Sequence, residues 1–346
     1  MLIVFRVDAS NKIGLGHLYR CLNLAKLLKN IGSNVIFICS GDSGYYRRYI
    51  DENLYSIEVI DGSRSGEFTE YDWVDDAHKT TNIINNLEVD LLIVDHYDLD
   101  YRWEISVSKL VKKIFVIDDL AQKKHYCDFI LNHACTAEHY QGLLIKKDAT
   151  ILCGLEYVPI NNKFYDVREL ALVKRKSTEK IKNILIFMGG ADSNNITSIV
   201  IDTIKNIESL NLYEIKVLLP ITATYFNYIK EKIKSIQVNI DLIPGSDNMA
   251  ELCLWADLCI GSGGMASWER CVLGLPSIVK SINNNQDMSV SLLEKLGGAI
   301  TWNNNQDLCH SINEIRSDAQ LWHSLSTNSA KICDGLGLER IIREIT

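Results

Sequence analysis

Residues 2–39, LIVFRVDASNKIGLGHLYRCLNLAKLLKNIGSNVIFIC, decide the fold class of this chain. Two short apolar runs, LIVFRV (2–7) and NVIFIC (34–39), flank HLYRCLNLAKLLKNIG (17–32), in which apolar residues recur at helical spacing. Strands that are apolar on successive residues are typical of a parallel sheet covered by helices on both faces. The stretch therefore predicts a strand, a helix and a second, parallel strand.

The same alternation continues along the chain in two halves. Further runs of strand type are LLIVDHY (91–97), KKIFVIDDL (112–120), DFILNHA (128–134), ATILCG (149–154), NILIFMGG (183–190), EIKVLLP (214–220), QVNIDLIPG (237–245), ADLCIGSGG (256–264) and PSIVKS (276–281). We predict an α/β fold with two Rossmann-like, doubly wound domains at 1–160 and 183–318, a charged linker at 161–182 and C-terminal helices at 319–346. Two such domains predict a central cleft in which a ligand binds.

Composition narrows the class of protein. The chain has 346 residues, 47% hydrophobic and 23% charged, which predicts packed domains with more than one core. A net charge of -8 disfavours nucleic acid or an anionic membrane as the main partner. No apolar run reaches about 18 residues and the N-terminus lacks a basic segment, so we expect neither a membrane span nor a signal peptide. Ten cysteines without a C-x-x-C pair predict reduced, buried thiols in a cytoplasmic protein.

The loop between the first strand and the first helix is the first candidate site. Gly14 and Gly16 allow a ligand to approach the backbone closely, and the helix start offers free N–H groups. A helix N-terminus disfavours a charged imidazole, which suits His17 to act as a general base. A capping or packing histidine is the alternative. Arg6 and Asp8 lie at the strand end, where one can orient the loop and the other can contact an anionic substrate. An internal ion pair between them is the alternative.

Glycine pairs mark a second candidate site. Gly263 and Gly264 precede a helix and present amides to a pyrophosphate, and Glu269 lies one turn further on, able to accept hydrogen bonds from ribose hydroxyls. Gly189 and Gly190 follow another strand of the same half, where they can surround the distal phosphate. The alternative for each pair is that a tight turn needs glycine for its geometry alone. Together with Gly14 and Gly16, these two pairs favour a nucleoside diphosphate.

Other types of site are disfavoured. His96 and His125 show no paired ligand spacing, and Asp118 and Asp119 point in opposite directions at a strand end, so we expect no metal. The sequence G-x-G-x-x-Y places Tyr19 where a dinucleotide fingerprint requires its third glycine. No cofactor is therefore expected.

Taken together, these segments resemble the PseG family, the UDP-2,4-diacetamido-2,4,6-trideoxy-β-L-altropyranose hydrolases of pseudaminic acid biosynthesis. The resemblance extends from residue 2 to about residue 340. It rests on RVDASNKIGLGHLYRCLNLA (6–25), VDHYDLDYRWE (94–104), IDDLAQKKHYCDFILN (117–132), MGGADSNNIT (188–197), MAELCLWADLCIGSGG (249–264), WERCVLGLP (268–276) with Asn285-Gln286, and DGLGLERI (334–341). It implies a GT-B fold like that of MurG-type glycosyltransferases, with water as the acceptor.

The resemblance also implies the site residues. It places the catalytic histidine at His17 and an aromatic active-site residue at Tyr97. It places the UDP-binding positions at Gly189, Gly190, Gly263, Gly264, Glu269, Asn285 and Gln286. We also expect Asp192 and Met265, which lie in the same two turns, to bind the substrate. The usual Gly-Gly-Ser-Thr turn is replaced here by Gly264-Met265-Ala266-Ser267, and the usual Asp-Pro by Asp192-Ser193.

The implied reaction is inverting attack of water on the anomeric carbon, with release of UDP. Two alternatives remain open: a UDP-sugar glycosyltransferase that activates an acceptor hydroxyl, and a catalytically silent nucleotide-sugar-binding protein. The expected partners are a UDP-sugar and water, with the protein a monomer or a weak oligomer.

Overall fold

The computed structural model describes residues 1–9, 16–40, 47, 49–50, 55–60, 71–207, 212–236, 239–246 and 248–346. These residues form two units. Unit 1 comprises Met1–Pro159 and Leu336–Thr346, and unit 2 comprises Ile160–Gly335. In the described residues, no helix is long and apolar enough to span a membrane.

Unit 1 is built on a seven-stranded parallel sheet in the order β3-β2-β1-β4-β5-β6-β7. Its strands are β1 (Leu2–Val7), β2 (Asn34–Ser40), β3 (Ser56–Ile60), β4 (Val89–Asp95), β5 (Val111–Ile117), β6 (Phe129–Asn132) and β7 (Thr150–Cys153). Its described helices of more than one turn are α1 (Gly16–Asn30), Trp73–Ile84, Tyr101–Val107 and Gly337–Ile345. Ile3, Phe5 and Val7 pack in a core on one face of the sheet, and Val4 packs in a core on the other. Burial on both faces explains the continuous apolar runs.

Unit 2 repeats this plan with a six-stranded parallel sheet in the order β10-β9-β8-β11-β12-β13. Its strands are β8 (Asn183–Phe187), β9 (Glu214–Leu218), β10 (Ile240–Ile243), β11 (Leu258–Ser262), β12 (Ser277–Lys280) and β13 (Ile300–Thr301). Its described helices are Asn162–Asp166, Arg168–Ser177, Ile196–Ile204, Phe226–Lys234, Met249–Trp255, Met265–Val272, Asp287–Lys295, Asn305–Ser317 and Ala319–Ile332. The predicted pair of doubly wound α/β domains is confirmed.

The strand orders locate the two candidate sites. In unit 1 the chain direction across the sheet reverses between β1 and β4, and in unit 2 it reverses between β8 and β11. Ligands of open parallel sheets bind at the carboxyl ends of the strands at such a switch point. The loop before His17 follows β1, and the two glycine pairs follow β8 and β11.

The prediction of a linker at 161–182 was wrong, because most of this segment is helical and belongs to unit 2. Its basic residues indicated a solvated segment, but they bind carbonyl groups at the ends of other helices. Arg168 donates to the Ala330 carbonyl at 2.7 Å, and Lys174 donates to the Trp255 carbonyl at 2.6 Å. The predicted terminal helices also divide, since Gly337–Ile345 belongs to unit 1.

Candidate active site

His17 and Asp95 form a hydrogen-bonded pair at the switch point of unit 1. His17 is the second residue of α1 and is 9% exposed, and Asp95 is the last residue of β4 and is 2% exposed. The Nδ1 atom of His17 lies 2.5 Å from Oδ1 of Asp95. A carboxylate oxygen only accepts hydrogen bonds, so Nδ1 carries the proton. Among the described residues the Nε2 atom has no hydrogen-bond partner, and its lone pair is available to accept a proton.

Arg20 holds Asp95 in its charged form. Its Nε donates to Oδ2 of Asp95 at 2.6 Å, and its Nη2 donates to Oδ1 at 2.6 Å. Burial raises the pKa of Asp95, but the charge of Arg20 and the hydrogen bonds from Arg20 and His17 outweigh burial and hold that pKa well below its usual range. A permanently ionised partner fixes the tautomer of His17 and stabilises the imidazolium once it forms.

Tyr97 and Asp119 complete the surroundings of His17. Nη1 of Arg20 donates to Asp119 at 2.7 Å, and the Tyr97 hydroxyl donates to the other oxygen of Asp119 at 2.9 Å. The Tyr97 ring lies edge-on to the imidazole of His17, with centroids 4.6 Å apart. Burial raises the pKa of Asp119, but the charge of Arg20 outweighs burial and lowers that pKa to about 2. Burial also lowers the pKa of neighbouring His133 to about 4. The imidazole is thus fixed both at Nδ1 and against its ring.

Arg6 and Asp8 belong to a separate buried network. Arg6 is 0% exposed, and its guanidinium donates to Asp8 at 2.5 Å and to Asp76 at 2.6 Å. Asp8 also accepts the Ser40 amide at 2.7 Å and faces Nε2 of His96 at 2.9 Å. The structure therefore favours an internal ion pair over the predicted substrate contact for both residues, since their charged groups already have partners.

In unit 2, the turn at Gly263-Gly264 leads into the helix Met265–Val272. The Gly263 amide donates to the Lys280 carbonyl at 3.0 Å and to Oε1 of Gln286 at 3.2 Å, so it is not available to a phosphate. Gly264 caps the helix without a side-chain hydrogen bond. The Ser267 amide donates to the Gly264 carbonyl at 2.9 Å, so within the described part of the chain the amides of Gly264, Met265 and Ala266 are the donors left for an anion at this turn.

Glu269 lies one turn into the same helix as a half-buried carboxyl group. Burial raises its pKa to about 7, and neighbouring Arg270 only partly opposes that shift. Arg270 itself is held below the turn, where its guanidinium donates to the Ser262 carbonyl at 2.9 Å. Ionised, this carboxyl group could accept hydrogen bonds from ribose hydroxyls, and that role stays a prediction.

The remaining predicted positions differ in what they do. Gly189 adopts a φ of 89°, which glycine tolerates best, and Gly190 follows it. Asp192 is 3% exposed and caps the next helix through the amides of Ile196 and Thr197, so its carboxylate is not directed at a ligand.

Three further positions complete the comparison with the sequence. Gly16 is the first residue of α1, and a Cβ added to it would meet no atom of the described residues within 4 Å. Asn285 and Gln286 lie in a short 3-10 turn, and Gly14 lies outside the described residues. Among the described residues, no group of three His, Cys, Asp or Glu side chains is arranged to hold a metal ion.

The sequence did not predict that Arg20, Asp95 and Asp119 belong to the site. Arg20 lies three residues after His17 and therefore on the same helix face. Asp95 and Asp119 end or follow β4 and β5, which are neighbours in the sheet. The signal was present in VDHY and IDDL, where acidic residues follow buried strands, but pairing them with Arg20 required the strand order.

Comparisons with known proteins agree with this architecture. Residues 183–331 match the glycosyltransferase family 28 C-terminal domain. An uncharacterized protein of Methanocaldococcus jannaschii is 29% identical over 83% of this chain, which spans 57% of that protein's length. A protein of Campylobacter jejuni named UDP-2,4-diacetamido-2,4,6-trideoxy-beta-L-altropyranose hydrolase is 27% identical over 86% of this chain and 97% of its own. The crystal structure of Acinetobacter baumannii MurG aligns with a TM-score of 0.73 at 13% identity over 99% of both chains, which shows the GT-B fold.

Proposed function

We propose that this chain, which belongs to a PseG-like family with the GT-B fold, hydrolyses a UDP-linked 2,4-diacetamido-2,4,6-trideoxy sugar. The observation that carries the proposal is the 2.5 Å contact of His17 with Asp95 at the switch point of unit 1. It supplies a histidine with one protonated nitrogen and one basic nitrogen, which activation of water requires. The substrate is proposed from the Campylobacter relative and from the motifs shared with its family.

The proposed reaction starts with a water molecule at Nε2 of His17. This nitrogen takes the proton as the water oxygen attacks the anomeric carbon from the face opposite to the nucleotide. The bond between that carbon and the phosphate oxygen breaks with inversion, and its electron pair leaves on UDP. Asp95 stays ionised and stabilises the imidazolium without taking its proton. General-base catalysis of this kind contributes about 10²- to 10⁴-fold to a rate.

In this proposal, unit 2 binds the nucleotide. The free amides at the start of the helix Met265–Val272 and the positive end of its dipole would stabilise charge that grows on the pyrophosphate. Glu269, once ionised, would accept the ribose hydroxyls. These donors act without a metal ion, and we propose that the hydrolysis is metal-independent.

A glycosyltransferase is the second candidate. It is favoured by the family match over residues 183–331 and by the shared fold of MurG. The same basic nitrogen of His17 would then deprotonate an acceptor hydroxyl in place of water. The two reactions differ in whether UDP release requires an added acceptor.

The test measures UDP release from a panel of UDP-linked 2,4-diacetamido-2,4,6-trideoxy sugars in EDTA, with the anomeric configuration of the product followed by NMR. His17→Asn is compared with His125→Asn. His125 is a matched control because it is a second buried histidine whose Nδ1 contacts a carboxylate, Glu104, at 2.7 Å. Binding of UDP is measured for both variants to establish that unit 2 is intact.

Turnover in EDTA that inverts the configuration, survives His125→Asn and falls at least about 100-fold in His17→Asn would support the hydrolase. Release of UDP that depends on an added sugar acceptor would replace it with the transferase. Binding of UDP without turnover of any substrate would instead favour a nucleotide-sugar-binding protein.

A further inference from the structure

Two cysteines meet at the carboxyl ends of β6 and β7. Cys153 is the last residue of β7 and pairs with Asn132 of β6 in the sheet. After Asn132 the chain turns tightly, because Oδ1 of Asn132 accepts the Ala134 amide at 3.0 Å. This turn brings Sγ of Cys135 to 3.4 Å from Sγ of Cys153. The two thiols are therefore in direct contact, although 18 positions separate them in the sequence.

The two thiols differ in accessibility and acidity. Cys153 is half-buried, whereas Cys135 is only 5% exposed. The hydrogen bond between the two thiols lowers the pKa of Cys153, while the same contact and burial raise the pKa of Cys135. The thiolate is the reactive form of cysteine. Cys153 is thus suited to attack an electrophile, and Cys135 keeps its proton close beside it.

Of the other eight cysteines, all but Cys309 are buried. Burial raises the pKa of six of them: Cys21, Cys39, Cys127, Cys253, Cys259 and Cys271. Cys309 is half-buried like Cys153, but its sulfur accepts a hydrogen bond from the side-chain amide of Asn313 at 3.6 Å. Exposure alone therefore does not distinguish Cys153 from Cys309, whereas the neighbouring thiol does.

The geometry points to Cys135 and Cys153 as an oxidation site at which a peroxide converts the two thiols into an intramolecular disulfide. The sulfur of Cys153 attacks one oxygen of the peroxide, breaks the O–O bond and becomes a sulfenic acid, while the other oxygen leaves as an alcohol or water. The sulfur of Cys135 then attacks Sγ of Cys153. The S–OH bond breaks, the S–S bond forms and the hydroxide leaves as water with the proton of Cys135. The peroxide is the oxidant, and the site requires none of the chemistry proposed for UDP-sugars.

The experiment treats the full chain with hydrogen peroxide and follows its thiols by mass spectrometry. Trypsin places Cys135 in the peptide 125–146 and Cys153 in the peptide 148–163, and fragment spectra separate Cys135 from Cys127 in the first. The wild type is expected to lose about 2 Da and to yield these two peptides cross-linked. Cys153 is expected to react at least about tenfold faster than Cys309.

Variants test the division of roles. Cys135→Ser is expected to stop the reaction at the sulfenic acid of Cys153, which adds about 16 Da and is trapped by a 1,3-dione reagent. Cys153→Ser is expected to abolish the fast phase, and Cys309→Ser, the matched control, to leave the cross-link unchanged. Thermal unfolding checks that each variant is folded. If a variant is not folded, the disulfide map of the oxidised wild type decides whether Cys135 and Cys153 become linked. Oxidation of Cys309 or the buried thiols without a link between Cys135 and Cys153 would overturn the proposal.

Discussion

Asp95→Asn is the substitution that most directly tests the arrangement around His17. The amide has almost the shape of the carboxylate but no charge, and it can present either a donor or an acceptor to Nδ1. Before reaction, the charges of Arg20, Asp95 and Asp119 sum to about -1 with His17 neutral. In the variant they sum to about zero, so the proton taken from water creates an uncompensated positive charge.

The size of the effect follows from the distances. An imidazolium about 4 Å from the centre of a carboxylate gains about 4 kcal/mol at an effective dielectric constant of about 20. Loss of that energy corresponds to a decrease in kcat of about 10³-fold. Substrate binding precedes the proton transfer, so we expect KM to change by less than about threefold. The assay is initial-rate UDP release with kcat and KM determined separately across pH.

Destabilisation alone must be separated from the loss of catalysis. Asp95→Asn leaves Arg20 its second partner, Asp119 at 2.7 Å, so we expect a decrease of about 2 to 4 kcal/mol in the free energy of unfolding. Asp76→Asn is the matched control, because Asp76 is a buried partner of Arg6 and does not contact His17. It should be destabilised to a similar extent with kcat retained. A kcat of Asp95→Asn within about tenfold of the wild type would refute the role given to the pair.

Three further predictions concern other parts of the two sites. Tyr97→Phe keeps the ring against the imidazole but loses the hydroxyl, and we expect kcat, measured by UDP release, to fall about 3- to 30-fold. Burial raises the pKa of Glu269 to about 7, so ionisation of this group destabilises the fold as the pH rises from about 4.5 through 7. Glu269→Gln removes that destabilisation. Calorimetry should therefore show a gain of about 1 to 3 kcal/mol at pH 8 but not at pH 4, with weaker binding of UDP. Gly263→Ala would place a Cβ 2.1 Å from Cγ2 of Val290, whereas Gly264→Ala meets only ordinary contacts. We expect UDP affinity in a titration to fall at least tenfold more for the first, and Val290→Ala to restore it in part.

Much of the fold was predictable because local patterns determine it. The apolar runs at 2–7, 34–39 and 183–190 indicated buried parallel strands, and each became one. The segment 161–182 misled because Arg and Lys appear equally often on solvated linkers and at helix ends. Only the tertiary structure shows that Arg168 and Lys174 donate to carbonyl groups about 80 or more positions away, at 2.7 and 2.6 Å.

The sequence likewise predicts the local motifs of the candidate sites but not the partners that lie far away along the chain. A histidine that opens a helix after a glycine-containing loop is visible in the sequence, as are glycine pairs after strands. Asp95, the partner of His17, lies 78 positions away from it, and Asp119, the second acidic partner of Arg20, lies 99 positions away from Arg20. Arg6 and Asp8 show the converse, because charged residues beside a site motif proved to be bound to each other.

The choice of His17 as the base rests on its ring nitrogens rather than on the motif. His96 also lies beside a buried aspartate, but its Nε2 faces Asp8 at 2.9 Å and its Nδ1 accepts the Asp98 amide at 3.1 Å. Both of its nitrogens are therefore occupied and neither can take a proton from water. The Nε2 atom of His125 makes no hydrogen bond among the described residues, but it is buried and lies 3.8 Å from Oδ2 of Asp118. His17 alone of these three combines a protonated nitrogen held by a carboxylate with a second nitrogen at the free end of a helix. If His125→Asn reduced kcat as much as His17→Asn while leaving UDP binding intact, this distinction would fail.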